Sequence, residues 1–343
     1  MKHIVSLVCD YLGLRPCTLT MPELTSNLIE IGSRNKVLPM LTEALGRIQA
    51  NDMPARLGDA LRVVSAHEGE RVQSLMREAR QISQALHKAG VAHAVRKGPV
   101  LSHLYKQPID RPFEDIDLLV SATDGPLVQH LLADMGYAAG NFNRFTGKIV
   151  SPSREMQIQY RLKPDHLPHQ VRRDSEDSFK AYVVDVAFTS GWHGDTFGIN
   201  TAEWLGAARP KNGLFALDAA HCAIDVTLHL YREAFLAGSV LRSACSLRSF
   251  ADVHLAWQAL DNVGDVWSLC SDDVMRAAIH KTLSLVEIVL GDSSQDLPNE
   301  QTEALLHTIV RDGHEQRIPI SLLDRMAAVS HVEYQQLMAA TSL

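Results

Sequence analysis

Two changes in hydrophobic pattern constrain the fold of this chain more than any other feature. Residues 56–88 contain few helix breakers and many good helix formers, and Gly90 then predicts the end of the last helix in this part. From Val91 the sequence favours strands, and from about Ala202 it is helical again. We therefore predict an N-terminal helical region, an α/β core and a C-terminal helical domain, with the bounds 1–89, 90–195 and 196–343.

Short apolar segments alternate with turn signals inside the predicted core. Two of them, residues 91–97 and 115–121, are predicted strands, and residues 98–106 between them predict one helix of two or three turns. Three more strands are predicted farther along the chain, at 148–153, 154–161 and 181–188. This order predicts an α+β fold whose core is a mixed sheet with helices on one face.

The charge and cysteine content argue against several classes of function. The chain has 33 basic and 40 acidic residues, for a net charge of -7, which argues against a broad basic surface for extended duplex DNA or for an anionic membrane. Its 5 cysteines lack any C-x-x-C spacing, so they predict free thiols in a reducing compartment rather than a zinc framework. No segment approaches the roughly 18 apolar residues of a membrane helix. We expect a cytoplasmic protein with no membrane partner.

Two carboxylates stand at the head of the apolar segment DIDLLV. Side chains alternate between the faces of a strand, so Asp115 and Asp117 point to one face while Ile116 and Leu118 point to the other. Like charges side by side at the entrance to a core are unfavourable unless a cation lies between them or both reach solvent. Carboxylate and phosphate oxygens are the ligands that Mg²⁺ prefers, and such ions assist phosphoryl and nucleotidyl transfer. The pair therefore predicts a site for Mg²⁺ or Mn²⁺.

A third carboxylate, Asp185, interrupts the apolar segment 181–188. It shares a strand face with Val183 and Ala187. If this strand lies beside DIDLLV, Asp185 completes a site of three carboxylates. The alternative is a strand residue that faces solvent or forms a salt bridge.

The residues before the carboxylate pair predict a phosphate-binding turn. Gly98 permits a tight turn between strand and helix, and Pro99 suits the first helical position. Helix N-termini bind phosphate, and Lys97 adds a compact positive charge. A triphosphate would then lie between this turn and the metal ions. The alternative for Lys97 is a surface charge at the end of a strand.

A second polar cluster lies on the predicted helix at 217–235. His221, Asp225 and His229 are spaced four residues apart and therefore share one helix face. Three interpretations stay open, which are a hydrogen-bonded stripe packed against another part of the chain, a lining of the substrate cleft, and a metal site. The first is the commoner arrangement for histidine and aspartate on one helix.

The motif KGPVLSHLY, then RPFEDIDLLV, then an isolated aspartate in a later strand resembles the uncharacterised bacterial nucleotidyltransferases of the polymerase-β-like superfamily. The matching residues are Lys97, Gly98, Tyr105, Arg111 and the segment 115–120. The chain departs from the wider superfamily in having Lys-Gly-Pro instead of Gly-Ser at the phosphate turn. It also has Asp-Val-Ala-Phe at 185–188, where related sequences often have Asp-Leu-His-Trp.

The resemblance implies a nucleotidyltransferase fold and assigns roles to six residues. Asp115, Asp117 and Asp185 would be catalytic and would bind the metal ion. Lys97, Gly98 and Arg111 would contact the nucleotide. Arg111 has a structural alternative, which is to pair with the aspartate cluster.

The implied activity is the transfer of an NMP group from an NTP to an acceptor, which is a small molecule, a protein or RNA. One alternative is a non-catalytic module that uses the same cleft to bind a nucleotide or a partner protein. Another is a toxin-like transferase that acts on tRNA or protein, although the acidic charge balance disfavours tRNA. The presence of all three carboxylates favours the enzyme over the module.

Overall fold

The described residues of the N-terminal part of the chain form four helices. The computed structural model describes residues 1–17, 28–48, 55–143, 145–162, 165–174, 181–192, 194–242, 245–270, 272–291, 300–328 and 331–339. The four helices are α1 (Lys2–Leu12), α2 (Leu28–Arg34), α3 (Leu38–Ile48) and α4 (Ala55–Lys88). Helix α4 runs for 34 residues without a proline, and Gly90 follows its end with a φ of 73°. This left-handed conformation stops the helix at the predicted residue, because glycine adopts it without steric strain.

The middle of the chain supplies most of the sheet. Its elements are β1 (His93–Arg96), α5 (Gly98–Leu101), β2 (Ile116–Val120), α6 (Gly125–Asp134), β3 (Ala138–Ala139), β4 (Asn141–Asn143), β5 (Lys148–Val150), α7 (Arg154–Leu162), β6 (Gln170–Arg173) and β7 (Ala181–Ala187). Strands β4 and β5 form a separate hairpin. Helix α5 ends earlier than predicted, at Leu101, and the chain continues as a 3₁₀ turn at Ser102–Leu104.

In the last part of the chain, the described residues form helices and four further strands. These elements are α8 (Thr201–Gly206), β8 (Arg209–Lys211), β9 (Leu214–Ala216), α9 (Ala219–Phe235), α10 (Ala237–Val240), α11 (Leu247–Gln258), α12 (Val263–Leu269), α13 (Asp273–Leu290), α14 (Glu300–Leu306), β10 (Thr308–Arg311), β11 (His314–Arg317), α15 (Leu322–Ala327) and α16 (His331–Ala339). Strands β10 and β11 form a second hairpin.

The main sheet is mixed and has seven strands in the order β3-β6-β7-β2-β1-β9-β8. Its centre pairs β2 in parallel with β7 and antiparallel with β1. The α+β class with a mixed sheet is therefore confirmed. Strands β8 and β9 follow residue 195, so the sheet continues past the predicted end of the core.

The predicted strand at 154–161 is wrong, because this segment forms α7. Apolar residues at every second position suggested a strand, but arginine, glutamate and glutamine are good helix formers. The outcome is a surface helix, in which Ile158 and Leu162 are exposed. Because these two apolar side chains are not buried against the sheet, the intrinsic helix propensity outweighs the alternating pattern.

Helices cover both faces of the main sheet. Ile116 and Leu118 of β2 join an apolar cluster with α4 and α6. Leu119, on the other face of β2, belongs to a larger cluster that includes α9. Since Asp117 alternates with Ile116 and Leu118, it lies on the face that α9 covers.

The larger cluster joins all three predicted regions. It contains Leu7 of α1, Leu119 of β2 and Leu228 of α9, and each of these side chains is buried. Helices from the regions before and after the core in sequence therefore share this cluster with β2. No helix in the described ranges combines the length and the apolar composition that crossing a membrane requires.

Candidate active site

Strand register brings the three predicted carboxylates together. Asp117 of β2 lies directly opposite Asp185 of β7, and these neighbouring strands are parallel. Residues paired in this way are about 4.8 Å apart and point to the same face. Asp115 precedes the first residue of β2, two positions before Asp117. All three carboxylates therefore occupy one region at the start of β2.

The Lys97 side chain reaches this region from the end of β1. Its ammonium group donates a hydrogen bond to Asp117 Oδ1 at 2.6 Å. Burial acts to raise the pKa of Asp117, but the charges of Lys97 and Arg96 outweigh it and lower that pKa. In this state, Lys97 supplies the positive charge that the aspartate pair requires.

Lys97 adopts a backbone conformation that is rare for a residue with a side chain. Its φ is 45° and its ψ is -109°, and such conformations cost about 1–3 kcal/mol each. Its carbonyl accepts hydrogen bonds from the N–H groups of Val100 and Leu101 and so fixes the first turn of α5. The sharp turn is what directs the lysine side chain back towards Asp117.

Gly98 is required by packing as well as by the turn. A Cβ atom at this position would lie 2.7 Å from two atoms of the Phe113 side chain, which is buried. Any larger residue would therefore displace Phe113, which lies two residues before Asp115. The Lys-Gly sequence and the carboxylate pair are thus coupled through one aromatic contact.

Asp115 is exposed to solvent, yet it lies in a crowded part of the surface. Reduced hydration raises its pKa, and the nearby charge of Asp117 raises it further. Lys97 and Lys36 act in the opposite direction. Because the net shift is upward, the ionised form of Asp115 is disfavoured in the folded protein.

Asp115→Asn should therefore raise the melting temperature at pH 7 when no divalent ion is present. A carboxyl group whose pKa is raised by folding stabilises the protein when it is protonated, and that stability is lost as the pH rises through the folded-state pKa. Asparagine cannot ionise, so the difference between the variant and the wild type should vanish near about pH 4. Thermal unfolding between these pH values measures it, and a less stable variant at pH 7 would contradict the assignment.

Asp185 has a buried carboxylate oxygen without a hydrogen-bond partner among the described residues. Its Oδ1 is buried and accepts no hydrogen bond from any residue that the structure describes. Buried carboxylate oxygens are nearly always satisfied, so an orphaned one points to a missing ligand such as an ion or a water molecule. This atom lies in the strand position directly opposite Asp117.

Arg96 is a residue of this region that the sequence interpretation missed. Its Nε donates to Asp225 Oδ2 at 3.0 Å, and its Nη2 donates to Asp225 Oδ1. Both side chains are buried. The negative charges of Asp117 and Asp185 also attract the Arg96 guanidinium. Asp117 lies opposite Arg96 in the register of β1 and β2. The available signal was an arginine on the same strand face as the carboxylates.

The polar stripe on α9 is a set of separate contacts rather than one site. Asp225 binds Arg96, as described above. The Nδ1 atom of His221 lies 2.9 Å from Asp218 Oδ1, and the Nε2 atom of His229 lies 3.2 Å from Glu233 Oε1. These contacts agree with a hydrogen-bonded stripe packed against the sheet, and the described part of the chain contains no metal-binding group of three such side chains.

Arg111 pairs with Asp252 of α11 rather than with the aspartate pair. Its Nε and Nη2 atoms donate to the two carboxylate oxygens, each at 2.7 Å. Tyr105 donates to the same Oδ1 at 2.7 Å. The Nη1 atom of Arg111 is buried and has no hydrogen-bond partner among the described residues. This arrangement leaves one nitrogen of the guanidinium for any further contact.

The three carboxylates lie in one region, but their side chains are not arranged as a complete set of metal ligands. Within the described part of the chain, no group of three or more His, Cys, Asp or Glu side chains is arranged to hold a metal ion. Mg²⁺ usually takes one or two protein carboxylates and completes its shell with water and substrate phosphates. The in-register Asp117 and Asp185, one of them with an open oxygen, fit that mode of binding.

Comparison with known proteins identifies one related family. A family model described as an uncharacterised nucleotidyltransferase matches residues 23–291. The match includes the six residues predicted to form the site and extends into the helices on both sides of the sheet. No curated protein is significantly similar to this chain.

Proposed function

The chain belongs to the family of uncharacterised nucleotidyltransferases, and we propose that it transfers an NMP group from an NTP to a nucleophile on an acceptor. Asp115, Asp117 and Asp185 hold Mg²⁺ or Mn²⁺ in this proposal. The observation that carries it is the pairing of Asp117 with Asp185 on parallel strands, together with the unpartnered Oδ1 of Asp185 among the described residues.

The divalent ion, when bound, neutralises charge on the triphosphate and orients the α-phosphate. The protein supplies the remaining positions and charges. The Asp185 carboxylate has two oxygens, so in this proposal one oxygen binds the ion and the other accepts the proton of the incoming nucleophile. The Gly98 turn and Nη1 of Arg111 are the proposed further contacts of the nucleotide.

Lys97 has two alternative partners in this mechanism. Without nucleotide it neutralises Asp117. With nucleotide it moves to a phosphate oxygen and leaves Asp117 to the metal ion. The strained backbone of Lys97 keeps its ammonium group within reach of both partners.

Lys97→Ala should weaken NTP binding about 10- to 100-fold, because one hydrogen bond between charged groups is lost. Lys97→Gly should weaken binding equally, yet it should be the more stable variant, since glycine relieves the positive φ. Titration calorimetry with a non-hydrolysable NTP and thermal unfolding measure the two effects. Unchanged nucleotide affinity in both variants would exclude Lys97 from the phosphate site.

A non-catalytic nucleotide-binding module is the second candidate. The salt bridge between Lys97 and Asp117 and the lack of a three-residue metal group among the described residues both favour it. Such a module would bind NTP but would not release pyrophosphate. A toxin-like transferase differs from the first proposal only in its acceptor, which would be tRNA or protein.

The test is incubation of the purified protein with each α-labelled NTP, Mg²⁺ and cytoplasmic extract, followed by identification of the labelled product. A parallel reaction with EDTA shows whether the transfer needs the divalent ion. Label on a small molecule, a protein or RNA identifies the acceptor class. NTP binding without pyrophosphate release, in the presence of extract, would favour the module.

A further inference from the structure

Lys36 is a cation near the candidate site, and no described residue pairs with it. It follows α2, adopts a φ of 57° and is half-buried. It lines a cavity of about 240 Å³ together with Pro112, Phe113 and Glu114, the residues that lead into Asp115. Its ammonium group makes no hydrogen bond or ion pair with any residue that the structure describes.

Arg248 lies beside Lys36 and is also incompletely paired. Hydrogen bonds from the N–H groups of Leu247 and Arg248 to Asn35 hold the start of α11 against the residue before Lys36. The Nη1 atom of Arg248 donates to the carbonyl of Pro112 at 2.6 Å. Its Nε is buried without a hydrogen bond from the described part of the chain and lies 3.9 Å from Asp252, which already binds Arg111.

Two neighbouring cations that have donor groups without partners among the described residues indicate a site for an anion. Burial lowers the pKa of Lys36, and the positive charge of Arg248 lowers it further. Glu114, Asp115 and Glu233 offset part of this repulsion through their charges. A phosphate group would give both cations a direct partner.

The two cations lie at the Asp115 end of the carboxylate group. Among the three carboxylates, Asp115 is the one whose charge acts on Lys36, while the charge of Lys97 acts on both Asp115 and Asp117. In the proposed reaction, Asp185 faces the nucleophile. The attacking and leaving oxygens lie roughly in line through the phosphorus. The leaving group therefore departs on the side away from Asp185, which in this proposal is the side of Lys36 and Arg248.

We propose that Lys36 and Arg248 bind the β- and γ-phosphates of the NTP and hold the pyrophosphate as it leaves. This inference rests on the proposed function. It assigns a phosphate subsite to one residue from the N-terminal helical region and one from the C-terminal helical region. A bond forms between the acceptor oxygen and the α-phosphorus, and the bond from that phosphorus to the bridging oxygen breaks. The electron pair leaves with pyrophosphate, and the acceptor proton passes to the Asp185 carboxylate.

The probe is sodium pyrophosphate, titrated calorimetrically into the whole protein in EDTA and again in MgCl₂. Lys36→Gln should weaken its binding about tenfold or more. Lys88→Gln removes the same charge from an exposed position at the end of α4 and should bind like the wild type. Thermal unfolding of both variants verifies that the fold is intact.

Glu114→Gln should change the affinity for pyrophosphate in the opposite direction from Lys36→Gln. Removing a carboxylate that acts on Lys36 should tighten pyrophosphate binding, whereas a general loss of structure would weaken it. A wild-type protein that binds no pyrophosphate in either buffer, or a Lys36→Gln variant that binds it like the wild type, would overturn the inference. Binding that depends on Lys36 in a protein that transfers no nucleotide would instead refute the proposed function alone.

Discussion

Asp117→Asn is expected to reduce nucleotidyl transfer by roughly a thousandfold or more. Asparagine keeps the size of the side chain but removes the charge that would hold the divalent ion between β2 and β7. Asp185, in register with Asp117, remains in place, so the loss reports the metal-binding charge rather than a change of fold. Release of pyrophosphate from labelled NTP measures the effect.

The same substitution should lower the stability of the metal-free protein by about 1–3 kcal/mol, because a hydrogen bond to the Lys97 ammonium group becomes weaker. Folding lowers the pKa of Asp117, so its ionised form stabilises the protein above the ordinary aspartate pKa. This contribution is lost as the pH falls through the lowered pKa. The destabilisation by Asp117→Asn should therefore be present at pH 7 and should shrink in strong acid.

Thermal unfolding with and without Mg²⁺ and NTP separates a metal site from a structural salt bridge. A ligand at a hundred times its Kd stabilises the folded state by about 2.7 kcal/mol, so binding raises the melting temperature measurably. The wild type should show this shift and Asp117→Asn should not. Equal shifts in both proteins would mean that Asp117 pairs with Lys97 and does not bind a metal ion. The same conclusion would follow if neither protein shifted and the variant were less stable than the wild type.

The sequence was sufficient to predict the carboxylate face because a strand has a fixed period. Once residues 115–120 are a strand, Asp117 must point away from Ile116 and Leu118, and the structure has these two apolar side chains in one cluster. The position of Asp185 depended on one further condition, that β7 lie beside β2. Parallel pairing with Asp117 opposite Asp185 fulfils it.

The partners of these carboxylates could not be predicted, because they depend on how distant segments pack. Arg96 meets Asp225 only because α9 covers one face of the sheet. Lys36 comes close to Asp115 because the segment after α2 packs against the start of α11 and against residues 112–114. Local pattern contains no information on either contact. The short strands β8 and β9 were missed for a related reason, since three residues are too few to establish a period.

Asp225→Asn should be among the most destabilising single changes in the protein, at about 3–5 kcal/mol. Arg96 is buried and would keep its charge after losing the carboxylate that accepts from two of its nitrogens. Solvent has little access to such a position, so the full cost of an unpaired charge appears. Differential scanning calorimetry measures the loss, and Asp134→Asn, at an exposed position of α6, is the matched control.

The double variant Arg96→Met, Asp225→Leu distinguishes an unpaired charge from a general packing defect. Replacing both members of a buried ion pair with apolar residues is often neutral, so most of the stability lost in Asp225→Asn should return. A double variant as unstable as the single one would show that shape, not charge, sets the cost.

Nucleotide binding in the same variants tests whether the ion pair between Arg96 and Asp225 also contributes to Mg²⁺-dependent NTP binding. Asp117 and Asp185 already act on the Arg96 charge, so a guanidinium released from Asp225 is attracted to the carboxylates that would hold the metal ion. Asp225→Asn should therefore weaken Mg²⁺-dependent NTP binding at temperatures where the variant is still folded, and the double variant should restore it. If NTP affinity follows stability alone across the three proteins, Asp225 only joins α9 to the sheet. If affinity is lost in the single variant and regained in the double one, Asp225 keeps Arg96 away from the metal-binding carboxylates.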